Sequence, residues 1–161
     1  MKIWLIGFMG SGKSTIGNLL ASELGYPLID TDLVISQECA LSIAEIFTHY
    51  GAAHFRNLEA QLIARLQEVS PCVVATGGGM PIYNTLGEGV VCYLHTDFAH
   101  LHARLLQDNT PRPLFQDTQT LHQLYLERLP IYTRIAQYRI NANQPPAQVV
   151  TEILKFLAFI S

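Results

Sequence analysis

Along the chain, short apolar runs alternate with longer stretches whose hydrophobic residues recur every three or four positions. The short runs at 3–6, 27–29, 72–75 and 90–94 predict strands, with 138–140 as a fifth. Helical signatures lie between them. Ile16, Leu19, Leu20 and Leu24 fall on one face of a helix over 15–24, which Gly25 should stop because glycine takes the left-handed conformation that ends helices. Ser42-Ile43-Ala44-Glu45 reads as a capping box, and a second helix should run from about 53 to 66 before Pro71 admits the next strand. A helix ending near Leu106 and another starting near Thr118 follow. Pro145-Pro146 then opens a last one with Val149, Val150, Ile153, Leu154 and Leu157 on one face. Such alternation predicts an α/β domain built on a parallel sheet.

Length and composition narrow the class. The 161 residues carry no repeat, low-complexity tract or linker, so 1–161 is expected to be a single domain. Half the chain is hydrophobic (49%) and only 14% is charged, against about a quarter in average proteins, which predicts packed structure over most of the length. A net charge of −3 argues against a nucleic-acid partner. Met1-Lys2-Ile3-Trp4-Leu5-Ile6-Gly7 sets a basic residue before an apolar stretch, but glycines cut it too short for a signal peptide or membrane span. Cys39, Cys72 and Cys92 are odd in number and lie in or beside apolar segments, as expected of reduced thiols in a cytoplasmic protein. His95, His100 and His102 have no Cys or carboxylate partner at an established zinc spacing and read as surface histidines.

The candidate chemistry begins where the first strand ends. Gly7-Phe8-Met9-Gly10-Ser11-Gly12-Lys13-Ser14 fits the phosphate-binding pattern G-x4-G-K-[ST], with a strand before it and a helix after it. Glycines let several backbone N–H groups converge on one anion, Lys13 adds a mobile positive charge, and Ser14 offers a hydroxyl to Mg2+.

Other constellations follow the later strands. Asp30-Thr31-Asp32 ends the second predicted strand, and in extended chain both carboxylates would share one side, beyond the carboxyl end where ligands of open α/β sheets bind. They could meet a metal ion and a nucleophile; alternatively, one aspartate only caps the following helix. Arg56 and Glu59, three apart on a predicted helix, by themselves suggest a surface ion pair. Thr76-Gly77-Gly78-Gly79 follows the third strand, where glycines would admit a ligand close to the backbone, or form a flexible turn. Thr110-Pro111-Arg112-Pro113-Leu114 lies between two helices and presents a cation suited to phosphoryl transfer, although many surface loops carry Arg and Pro.

Taken in order, residues 7–14, Asp30-Thr31-Asp32, His54-Phe55-Arg56 with Glu59, Gly77-Gly78-Gly79, Arg112-Pro113-Leu114, and Arg128 with Tyr132 resemble the shikimate kinases over almost the whole chain. The resemblance implies a P-loop, three-layer α/β/α fold of nucleoside-monophosphate-kinase type, with a five-stranded parallel sheet ordered 2-3-1-4-5. It implies a substrate-binding helical segment near 31–60 and a lid near 107–118. The implied activity is ATP-dependent phosphorylation of the shikimate 3-hydroxyl, with Mg2+, by a cytoplasmic monomer without nucleic-acid or membrane partners. Gly10, Ser11, Gly12, Lys13, Ser14 and Thr15 would cradle the nucleotide, Ser14 ligating Mg2+ directly and Asp30 through water. Asp32 would bind the shikimate hydroxyls and orient or deprotonate the nucleophile. Arg56 and Arg128 would grip the carboxylate, with Gly78 and Gly79 adding backbone contacts. Arg112 would close over the phosphates, while Arg104 and Pro146 would sit beside adenine. Phe47 and Phe55 fit either the substrate pocket or the core. Two alternatives remain open: a gluconate-type or nucleoside-monophosphate kinase, and a nucleotide-binding regulator without turnover. The arginine pair suits a carboxylate and the acid pair a polyol, which favours shikimate.

Overall fold

Ile3, Trp4, Leu5 and Ile6 are all withdrawn from solvent, although neighbouring side chains in a strand point to opposite faces. Both faces of the strand β1 (Lys2–Ile6) are therefore covered, which is why its sequence is continuously apolar. In the computed structural model, which describes residues 1–107 and 117–161, β1 is the centre of a five-stranded sheet. The other strands are β2 (Leu28–Asp30), β3 (Cys72–Ala75), β4 (Val90–His95) and β5 (Tyr138–Asn141). Their order is β2-β3-β1-β4-β5 and every pairing is parallel.

Two cores follow from the alternation along β1. Ile3 and Leu5 pack with α1 (Lys13–Leu24) and α7 (Pro146–Ile160), through residues such as Ile16, Leu20, Val149 and Ile153. Trp4 and Ile6 face the other layer. There they meet α2 (Thr31–Cys39), α3 (Ile43–Leu66), α4 (Met80–Tyr83), α5 (Phe98–Gln107) and α6 (Thr118–Ile135). Full burial of each such Leu or Ile contributes roughly 1.5–3 kcal/mol, so β1 fixes both layers to the sheet. Helices cover both faces, giving the expected three layers. Among the described residues, no helix is long and apolar enough to cross a membrane.

Local chemistry sets the helix boundaries. Ser42 and Glu45 form the reciprocal capping box at the start of α3, and Gly51 breaks that helix with φ 83° and ψ 169°. The two predicted segments thus meet at one kink. Helix α1 ends at Gly25 in the left-handed conformation. One expectation needs correction: β2 stops at Asp30, and α2 begins at Thr31, so Asp32 lies in a first helical turn rather than in extended chain. The cause is visible at Asp30, whose Oδ1 accepts from Leu33 N (3.2 Å) and satisfies a donor that the new helix would otherwise leave unpaired. Asp32 adds a negative charge near the positive end of that helix.

Candidate active site

The phosphate loop occupies the turn from β1 into α1. Gly10 and Gly12 both adopt positive φ (83° and 91°), which curls the chain so that helix α1 starts without a side-chain cap. A helix start of this kind turns its first-turn N–H groups and positive dipole end toward an anion. Lys13 is buried, and its Nζ donates to Gly7 O (2.7 Å) and Phe8 O (3.0 Å), laying the ammonium along the loop. Ser14 Oγ donates to Asp30 Oδ2 (2.7 Å), joining the loop to the end of β2. Asp30 therefore caps α2 and also holds the loop serine.

Those two oxygen donors fit a small hard cation that keeps water and phosphate among its ligands. Among the described residues, no three His, Cys, Asp or Glu side chains converge into an all-protein metal cage.

The glycines after β3 shape the next wall. Gly77 N donates to Thr31 Oγ1 (2.9 Å), tying this loop to the start of α2. A Cβ on Gly77 would stand 2.5 Å from Asp32 Oδ1, and one on Gly79 would stand 2.5 Å from Arg56 Nη2. Both glycines therefore make room for a charged side chain. Gly78 is held differently: its carbonyl accepts from the Tyr132 hydroxyl at 2.6 Å, and Arg128 lies one helical turn earlier on α6.

Arg56 and Glu59 do pair, at 2.7 Å, but not at the surface. The Glu59 side chain is fully buried and that of Arg56 is 17% exposed, which corrects the surface reading of their spacing. Burial pushes the Glu59 carboxyl up to about 7, against the opposing pull of Arg56, while the negative charge of Asp32 pushes the same way as burial. Asn84 Nδ2 donates to the same Oε1 at 3.4 Å. The Arg56 guanidinium lies near the rings of Phe47, Phe55 and Tyr83, at 5.8, 5.2 and 4.2 Å from their centroids.

Arg128 supplies a second guanidinium and is only 2% exposed. Its Nε and Nη2 have no hydrogen-bond partner among the described residues. Such donors are costly to bury without an acceptor, so they point to an anionic ligand.

These groups line one cleft of about 750 Å3. Of the expected residues, Gly10, Gly12, Lys13, Ser14, Thr15, Asp30, Asp32, Arg56, Gly78, Gly79 and Arg128 all border it. Phe47 and Phe55 border it as well, and Phe55 is also part of the core. Ser11 does not; its side chain is buried within the loop. Arg104 is outside the lining but donates to Gly10 O (2.9 Å) and Ala142 O (3.3 Å), bridging the loop and the turn before α7. Pro146 is exposed at the start of α7 and also stands outside the lining. Arg112 lies outside the described residues, as does most of the lid expected near 107–118. Sequence reasoning gave no site role to Glu59 or Thr31, although the helical spacing of Glu59 from Arg56 was a usable signal.

Sheet order and the position of the loop after β1 place the chain among P-loop phosphotransferases with the nucleoside-monophosphate-kinase type of fold. A family model described as shikimate kinase matches residues 9–158. The shikimate kinase of Helicobacter hepaticus is 44% identical, over 96% of this chain and 94% of its own length. That of Trichormus variabilis is 40% identical, over 98% and 91%. Among solved structures, shikimate kinase from Acinetobacter baumannii in complex with shikimate superposes with a TM-score of 0.90 at 32% identity, covering 99% of this chain and 94% of that one. The chain belongs to the shikimate kinase family.

Proposed function

We propose that this chain transfers the γ-phosphoryl group of ATP to the 3-hydroxyl of shikimate, forming shikimate 3-phosphate and ADP. The observation that carries this reading is the buried Arg128, with donors left unpartnered, bordering the same cleft as Arg56, Asp32 and the phosphate loop. A carboxylate grip, an acid and a polyphosphate cradle thus share one cavity. Family membership supports the same acceptor.

Arg56 and Arg128 hold the shikimate carboxylate, each by a planar fork that matches its two oxygens. Gly78 and Gly79 add backbone contacts. Asp32 accepts a hydrogen bond from the 3-hydroxyl and takes its proton as that oxygen bonds to the γ-phosphorus and the bond to the ADP oxygen breaks. Lys13 and the first-turn amides of α1 stabilise negative charge on the phosphate oxygens, and Arg112 does so from the segment after α5. Bound Mg2+, held by Ser14 and through water by Asp30, would neutralise phosphate charge and align the leaving oxygen. Ser11 serves through its backbone. Arg104 and Pro146 flank adenine, which the bridge from Arg104 to the loop and the α7 turn supports.

Residues 31–60 form the acceptor side, and the chain works as a cytoplasmic monomer. Buried, free Cys72 and Cys92 support a reducing compartment. A coupled ADP-release assay tests the acceptor, offering shikimate, gluconate, AMP and CMP in turn with MgATP. Shikimate should raise the rate far above the ATPase background. A background rate with shikimate, or faster turnover with another acceptor, contradicts the proposal.

A further inference from the structure

Tyr83 is the last residue of α4 and is 58% exposed, so it contributes little to the core. It also lies outside the residues that line the cleft. Yet its ring centroid is 4.2 Å from Arg56 Cζ, closer than the two phenylalanine rings that border the cavity. An exposed aromatic side chain so near a guanidinium is placed for a cation–π contact rather than for burial.

The short helix α4 makes this placement specific. Tyr83 N donates to Gly79 O (3.1 Å), setting the tyrosine one turn beyond the glycine whose missing side chain accommodates the guanidinium. Asn84, next in sequence, donates to Glu59 Oε1, which also accepts from Arg56 Nη1. One turn of chain thus provides room for Arg56 at Gly79, an aromatic ring at Tyr83 and a hydrogen bond to its carboxylate partner at Asn84.

We infer that Tyr83 is a positioning residue for acceptor binding: its ring holds the Arg56 guanidinium so that the fork meets the substrate carboxylate already oriented. The inference rests on the shikimate reading above. An arginine side chain left free would lose rotamer entropy when the substrate bound; held by the ring and by Glu59, it loses that freedom on folding instead. Removal of the ring should therefore weaken acceptor binding and leave the phosphoryl-transfer step nearly intact.

Steady-state kinetics of the wild type, Tyr83→Phe, Tyr83→Leu and Tyr83→Ala, with shikimate and ATP varied separately, test this. Tyr83→Ala should raise the KM for shikimate about three- to tenfold, with kcat and the KM for ATP within about twofold of wild type. Tyr83→Leu keeps apolar bulk without an aromatic face and should match alanine, while Tyr83→Phe should stay near wild type. Melting curves identify any variant that fails to fold, and the remaining substitutions then decide. An unchanged shikimate KM in the alanine and leucine variants overturns the inference, as does an equal rise in both KM values or a phenylalanine variant as impaired as alanine. Wild-type protein inert toward shikimate removes the acceptor reading, and this inference with it. Active wild type with unaffected variants removes only the role of Tyr83.

Discussion

Glu59 is a residue whose chemistry depends on depth. In the folded chain burial holds its proton up to about pH 7, against an ordinary value of 4.5, even though Arg56 lies 2.7 Å away. Because the folded form binds that proton more tightly, the stabilisation is complete below pH 4.5 and is lost as pH rises through 7. The whole effect amounts to roughly 3 kcal/mol, of which about 2–3 kcal/mol falls between pH 5 and pH 8. Urea unfolding at both values should show wild type losing that stability relative to Glu59→Gln, which cannot titrate. Parallel curves would contradict the assignment. The chain made the pair legible as an i, i+3 spacing, but spacing carries no information about burial, which α4 and the rest of the fold impose. Lys13 and Ser14 stood out along the chain, because a contiguous motif names both the turn and the donors.

Among the elements, α4 and the glycine run before it surround the Arg56 guanidinium, with Gly79 on one side and Tyr83 on another. Gly79 has φ −90° and ψ −13°, which alanine adopts readily, so the obstacle to a Cβ there is the Arg56 guanidinium. That group is the far end of a flexible side chain and can move. Gly79→Ala should therefore fold with a melting temperature near wild type, raise the KM for shikimate about tenfold and spare the KM for ATP. Loss of folding, or equal damage to both KM values, would contradict that account. The strands were legible because burial on both faces leaves uninterrupted apolar runs. Helix α4 is only four residues long, too short for a helical period to show in its sequence. Helix α2 was missed at its first residues because Asp30-Thr31-Asp32 continues an apolar run, and only Asp30's cap on Leu33 marks where extended chain ends. Asp32 reaches the cleft all the same, by way of the first helical turn and the space left at Gly77.

For the whole molecule, the parallel sheet is what brings residues far apart in sequence into one cleft. With β1 central and β3 beside it, the phosphate loop, the acids after β2 and the glycines after β3 all emerge at the same edge, while α3 and α6 supply Arg56 and Arg128 from one layer. The order of strands could not be read from apolar runs; it came from the resemblance, and the pairings agree with it. On the proposed function, this cleft orients a carboxylate at one end and a hydroxyl toward phosphate at the other. A crystal structure with ADP and shikimate tests it most directly. The carboxylate should lie on Arg56 and Arg128, the 3-hydroxyl on Asp32, and the β-phosphate against the backbone of residues 10–15. Shikimate bound with its carboxylate toward Lys13, or outside the cleft, would contradict it.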